Sequence, residues 1–202
     1  MSTESYKTIA QKSSGLFKDR GSKFHGFAYP IKDEEEIKTY LEELKKEFYD
    51  ARHYCYAFIL GADGQHFRAS DDGEPAHSAG DPILGQIRSL ELTHCLVVVV
   101  RYFGGTKLGV PGLINAYRTA AREALENSRI VKKFITFRMS IHFPYSRMND
   151  VMQMTKSLDL KVINQNFELD CELVIEIKPS LEDQIRQKLS LFDDIRIDRQ
   201  SS

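Results

Sequence analysis

CLVVVVRYFGGTKLGVPGLINAYRTAAREAL, residues Cys95 to Leu125, reads as strand, turn and helix, and the other segments arrange themselves around it. Leu96 to Val100 is an unbroken apolar, mostly β-branched run, the pattern of a strand buried on both faces. Arg101 and Tyr102 stand where that strand emerges. Gly104, Gly105, Gly109 and Gly112 follow within nine residues. Pro111 opens a helix, because a proline in the first helical position forfeits no hydrogen bond. Leu113, Ile114, Tyr117, Ala120, Ala121, Ala124 and Leu125 then recur at helical spacing. A glycine-rich turn at a helix N-terminus offers unpaired N–H groups and the positive end of the helix dipole, which hold an anion. Arg101 and Lys107 would strengthen such a site. The turn matches neither Gly-x-x-x-x-Gly-Lys-Ser/Thr nor Gly-x-Gly-x-x-Gly, so nucleoside triphosphate hydrolysis is not expected. Two readings stay open: glycines that only shape a turn, or a surface for phosphate, RNA backbone or an acidic protein. Tyr102 and Phe103 would stack on bases or close over the core.

Upstream lies an acidic turn, Ser70 to Pro75, with Asp71, Asp72 and Glu74 in four residues. Such a cluster either attracts a hard cation or caps helices and braces the Arg101 strand end. EF-hand spacing is absent and no metal site is expected. Asp81-Pro82 reads as an N-cap and first helical residue, predicting a helix over 82–91 with Ile83, Ile87 and Leu90 inward. Tyr54 to Leu60 is strand-like, and Asp63-Gly64 turns it into a hairpin returning over 65–69. His53 and Cys55 share one face of that strand, as a nucleophilic pair would, but so do ordinary packed residues. No catalytic residue is assigned. Asp33 with Glu36 forms a capping-box pattern ahead of Ile37, Tyr40, Leu41, Leu44 and Phe48, predicting a helix over 34–49. Before it, 6–11 and 16–29 read as two strands broken at Ser13-Ser14-Gly15. The second carries Lys18, Arg20 and Lys23 around Gly21, either a solvated hairpin or a phosphate-contacting arm.

Downstream, 130–143 is strand-like and ends at Pro144, 145–158 is helical, and 160–167 and 169–177 are strands joined near Glu168. A helix over 181–191 and a short strand over 195–197 complete a βαββαβ order, the ferredoxin-like pattern. The expected class is therefore α+β in two domains, 1–133 and 134–202. Net charge is −1, so no bulk electrostatic pull acts toward nucleic acid or anionic membrane, and any such contact needs a local basic patch. Cys55, Cys95 and Cys171 are odd in number and widely spaced, as reduced buried thiols of a cytoplasmic protein are. The N-terminus lacks the apolar core of a signal peptide, and no apolar run approaches the ~20 residues that span a bilayer.

DDGEPAHSAGDPIL at 71–84, VVVRYFGGTKLGVPGLINAY at 98–117 and ARHYCYAF at 51–58 together resemble the core of the YigZ/IMPACT family. The resemblance covers the first domain, and the ferredoxin-like segment resembles the second domain of bacterial-type members. Ala76-His77-Ser78 stands where small residues and a Thr are common, Val110-Pro111 replaces a glycine-rich pair, and Asn115 replaces a basic residue. The resemblance implies a ribosomal-protein-type fold for the first domain, a type that can contain a left-handed βαβ crossover. It implies a second domain like the fifth domain of bacterial elongation factor G. Eukaryotic relatives of the first domain regulate translation by binding an activator of a stress-responsive initiation-factor kinase.

The expectation is thus a non-enzymatic, translation-linked regulatory protein that binds RNA or a ribosome-associated factor, without cofactor, membrane or DNA. Its oligomeric state stays open. The alternatives are an enzyme acting on a phosphorylated small molecule and a plain protein-interaction module. The candidate ligand surface is Asp71, Asp72, Glu74, Arg101, Tyr102, Gly104, Gly105, Lys107 and Gly109, and the nucleic-acid candidates are Lys18, Arg20 and Lys23.

Overall fold

The computed structural model describes residues 4–168 and 170–200. It is α+β, and the described chain divides into two compact units, one of residues 5–133 and one of residues 134–200 together with Glu4.

The first unit is built on a five-stranded sheet of β2 (Ser13–Asp19), β3 (Ser22–Pro30), β4 (His53–Leu60), β5 (His66–Ser70) and β6 (Cys95–Tyr102). Its order is β2-β3-β6-β4-β5, with every neighbouring pair antiparallel. The quoted strand β6 is the centre. Val97 and Val99 pack with α2 (Gly80–Ser89) and α3 (Gly109–Glu126), while Leu96, Val98 and Val100 pack beneath α1 (Glu34–Glu47). Burial on both faces explains a continuous apolar run in an antiparallel sheet, where alternation is the usual pattern. The α3 helix lies so close to β3 that a Cβ at Gly26 would sit 2.3 Å from the carbonyl oxygen of Ala120. Two helices cover one face and one helix the other. On the α1 side, Leu16 and Lys18 of β2 and Lys23 of β3 therefore stay exposed.

Asp33 caps α1 as its sequence pattern predicts, accepting the Glu35 and Glu36 N–H groups at 3.0 Å. Elsewhere the local signals mislead. Ser13-Ser14-Gly15 is not a break but the start of β2, which pairs with 26–28. The 16–29 stretch is two strands, because Arg20 and Gly21 both take positive φ (44° and 80°) and make a two-residue hairpin turn. Asp81 is not the cap of α2, which begins at Gly80. The stretch 130–143 divides into β7 (Ile130–Phe134), which pairs with β1 (Ser5–Ile9), and β8 (Phe137–Pro144), a division that no glycine or proline marks.

The second unit runs β8, a 3-10 turn (Tyr145–Arg147), α4 (Met148–Ser157), β9 (Lys161–Phe167), β10 (Asp170–Ile177), α5 (Pro179–Leu189) and β11 (Arg196–Gln200). The expected first residue of β10, Leu169, lies outside the described residues. The sheet order is β11-β8-β10-β9, all antiparallel, as the ferredoxin-like pattern requires. Met139, Ile141, Leu173 and Ile175 meet Val151, Ile185 and Leu189 in a separate core.

Candidate functional site

The acidic turn sits between β5 and α2, and each of its carboxylates has a different set of partners. Asp71 accepts the N–H groups of His77, Ala79 and Gly80 at 2.8 to 2.9 Å, so it caps α2 from nine residues upstream. Burial opposes its charge, yet those three donors hold its carboxyl below the usual aspartate range. Asp72 accepts the Tyr54 N–H at 2.7 Å and so fastens the turn to β4. Glu74 points the other way. Its Oε1 accepts from Arg101 Nη1 at 2.5 Å and from the Tyr117 hydroxyl at 2.7 Å. The Arg101 and Glu74 side chains are 8% and 4% exposed, which makes this a buried pair rather than a surface one. Burial, with Cys55 and Glu74 beside it, pushes the Tyr117 phenol well up, so Tyr117 stays a hydrogen-bond donor to the carboxylate.

His53 and Cys55 do not form a nucleophile and base. His53 Nδ1 meets the carbonyl of Asp72, and Cys55 Sγ donates to the carbonyl of Asp71. Burial raises the Cys55 thiol far from thiolate formation. All three cysteines are buried and free. Among the described residues no cluster of three or more His, Cys, Asp and Glu side chains is placed to hold a metal ion.

Past β6, the glycine turn divides its tasks. Gly104 lies against the β2–β3 turn: a Cβ there would come within 1.9 Å of the Gly21 carbonyl carbon, and its N–H donates to the Ser22 hydroxyl at 3.1 Å. Only glycine permits this approach. Gly105 and Gly109 have φ of 88° and 71° and carry the chain into α3. The contact joins the loop bearing Lys107 to the hairpin bearing Lys18, Arg20 and Lys23. Lys18 and Lys23 are direct cross-strand partners, and Lys23 is opposite Tyr102 on β6. All four cations are exposed, and among the described residues none makes an ion pair. His25 stacks edge-on to Tyr102 and tilts against Phe48. Burial, then Lys23 and Lys18, lower its pKa. Tyr102 donates to Asp50 at 2.6 Å, and this bond, with burial, pushes its phenol up to about 12.

Two clefts flank Arg101 and Phe103. One, of about 360 Å³, is lined by Glu74, Pro75, Arg101, Phe103, Lys107 and the first turn of α3. The other, of about 380 Å³, is lined by Asp50 to His53 and Arg101 to Phe103. The predicted site residues thus separate, with Tyr102 lining the second cleft and Gly105 only turning the chain. Glu74, Arg101, Lys107 and Gly109 share a cleft. Gly104 joins the basic hairpin. Asp71 and Asp72 brace the turn and line neither cleft. Sequence reasoning missed Tyr117 as the second ligand of Glu74. Its phase among Ala116, Ala120 and Ala121 marked it as buried, and a buried phenol needs a partner.

A family model described as the Impact N-terminal domain matches residues 20–125. The chain is similar to the IMPACT family member YigZ of Escherichia coli (strain K12), 33% identical over 168 residues, which cover 78% of this chain and 82% of that protein. It is also similar to the protein IMPACT homolog of Saccharomyces cerevisiae, 35% identical over 112 residues, covering 53% of this chain and 42% of that one. A crystal structure described as that of a hypothetical protein superposes with a TM-score of 0.73 at 27% identity, covering 99% of both chains.

Proposed function

The chain belongs to the IMPACT family, and from that premise we propose that it is a non-enzymatic, translation-linked regulatory protein that binds RNA or a ribosome-associated factor. In this reading the chain has two domains, an IMPACT-type domain over 1–133 and a ferredoxin-like domain over 134–202 that resembles the fifth domain of elongation factor G. The protein acts in the cytoplasm, where translating ribosomes are; among the described residues no helix is long and apolar enough to cross a membrane.

The observation that carries the reading is the docking of Gly104 on the Gly21–Ser22 turn. It joins four cations that make no ion pair among the described residues, Lys18, Arg20, Lys23 and Lys107, into one surface on a chain whose net charge is −1. Two lysines directly opposite each other on neighbouring strands repel, at a cost of roughly 0.2–1 kcal/mol. A polyanion removes that repulsion on binding. The half-buried rings of His25 and Tyr102 beside the lysines add a stacking surface for unpaired bases. Arg101 acts differently: 7% exposed and held by Glu74, it lies beneath this basic surface and lines the neighbouring cleft. The enzyme reading draws less support, since Asp71, Asp72 and Glu74 are all engaged by other protein groups and none is left as a free acid or base.

The test is cosedimentation with ribosomes at low and high salt, with and without nuclease. Binding that falls steeply with salt and is lost in Lys18→Ala/Arg20→Ala/Lys23→Ala supports the reading, because phosphate contacts release counterions. A flat salt response with undiminished binding by the triple variant refutes it.

A further inference from the structure

We infer that the cleft between Glu74 and the first turn of α3 binds a small phosphate monoester carrying an apolar or aromatic body. This goes beyond the RNA surface, with which it shares only Lys107. The volume, about 360 Å³, lies in the range of small-molecule sites, roughly 300–1,000 Å³. One wall is apolar: Pro75, Leu108, Val110 and Leu113 line it, with Phe103 at its side. Phe103 and Val110 are 57% and 45% exposed, so apolar surface is left facing water at the mouth of the cleft.

The charged residues lining the cleft sum to a positive charge. Glu74 is its acidic residue, and Arg101 already neutralises that charge. Lys107 adds a cation without a partner among the described residues. The α3 helix opens with no side-chain cap and no acidic residue in its first turn. Its Gly109 and Val110 N–H groups precede the first intrahelical bond and carry the positive end of the dipole. The independent sign of a ligand is Arg101 itself. This guanidinium is more than nine-tenths buried; its Nη1 is held by Glu74, and its Nε is buried without any partner. No hydrogen bond among the described residues uses Nη2, and the Arg101 side chain lines the cleft. Buried charged donors without acceptors are rare, because each forgoes water without replacement. A phosphate monoester offers three terminal oxygens for three kinds of donor: Arg101 Nη2, Lys107 Nζ and the α3 amides. A carboxylate offers two. The apolar wall then takes the body of the ester, against the face or edge of Phe103.

The experiment follows backbone amide signals of the full chain by NMR during titration with inorganic phosphate, adenosine and adenosine 5′-monophosphate. Saturable shifts at Gly109 and Val110 are expected with the monophosphate, at an affinity at least about tenfold above that of phosphate or adenosine alone. Lys107→Ala should weaken the monophosphate about tenfold. Val110→Trp, at a half-exposed position, should abolish its binding by filling the cleft while leaving the remaining spectrum in place. Absence of saturable shifts at Gly109 and Val110, or shifts that persist unchanged in Val110→Trp, would overturn the proposal. Failure of the RNA reading is separable: Lys18→Ala/Lys23→Ala weakens ribosome cosedimentation and leaves monophosphate binding unchanged, and Val110→Trp has the converse pattern.

Discussion

Arg101 and Glu74 lie 27 residues apart in sequence and form a buried ion pair, with the Tyr117 hydroxyl donating to the same carboxylate oxygen. The pair ties the end of the central strand to the acidic turn and to the third helix at one point. It also explains why two motifs far apart in the chain belong together: one supplies the guanidinium, the other the carboxylate, and neither charge could be buried alone.

The first prediction concerns that pair. Glu74→Ala leaves a buried guanidinium without a counter-charge and a buried phenol without an acceptor, and should lower stability by about 3–5 kcal/mol. The double variant Glu74→Leu/Arg101→Met removes both charges and should be more stable than Glu74→Ala or the single variant Arg101→Met. Urea denaturation of the four proteins measures this. A double variant no better than Glu74→Ala would mean that the charges matter through something other than each other.

The second concerns acid. Asp71 has a folded-state pKa held below its ordinary 3.8 by the three amides it caps. Its contribution is therefore present in full above that ordinary value and is lost as pH falls through the lower folded value. Asp71→Ala should cost about 1–2 kcal/mol at pH 7, as loss of a helix cap does. The gap to the parent should shrink below about pH 4. Urea midpoints at pH 7 and at successive acid steps give the curve, and a gap that widened in acid would contradict it.

What could be read from the chain alone follows from how local each signal is. The strand over 95–102 and the Asp33 cap depend on neighbours within a turn or a pleat, and they are where their patterns place them; the helix after the strand keeps its periodicity but begins at Gly109, two residues before Pro111. The cap of α2 is not local. Asp81 before Pro82 is the better cap by sequence rules, but Asp71 reaches Ala79 and Gly80 across a loop, and Asp81 instead bonds His77 at 2.6 Å. Among the site residues, the acidic turn was legible as a brace for the Arg101 strand end, but not which of its three carboxylates meets the guanidinium. The role of Gly104 depends on a turn 82 residues earlier, a distance over which no spacing rule operates.

Gly104 provides the third prediction, because Gly105 is its internal control. An added Cβ at Gly104 would overlap the backbone of Gly21 and Ser22, whereas at Gly105 it would meet nothing within 4 Å and carry only the strain of φ 88°. Gly105→Ala should cost about 1–2 kcal/mol. Gly104→Ala should cost at least that and, unlike Gly105→Ala, should displace the hairpin, seen as altered amide signals at Lys18 to Lys23. It should also weaken ribosome cosedimentation. Equal spectra for the two variants would remove the physical link between the loop and the basic hairpin.

The last prediction sets stability against binding. Lys18 and Lys23 face each other across β2 and β3 with no acidic partner among the described residues, so each raises the energy of the other. Replacing one by Ala should leave the fold as stable as before or more stable, by up to about 1 kcal/mol. A residue retained only for the fold would show the opposite sign. The same replacement should lower affinity for single-stranded RNA and flatten its salt dependence by about 0.7 in the slope of log K against log salt, with about twice that for the pair. Thermal or urea denaturation gives the first quantity, and filter binding of an oligoribonucleotide at several salt concentrations gives the second. If stability falls while the slope stays fixed, the lysines belong to the architecture of the hairpin and the RNA-binding surface lies elsewhere on the protein.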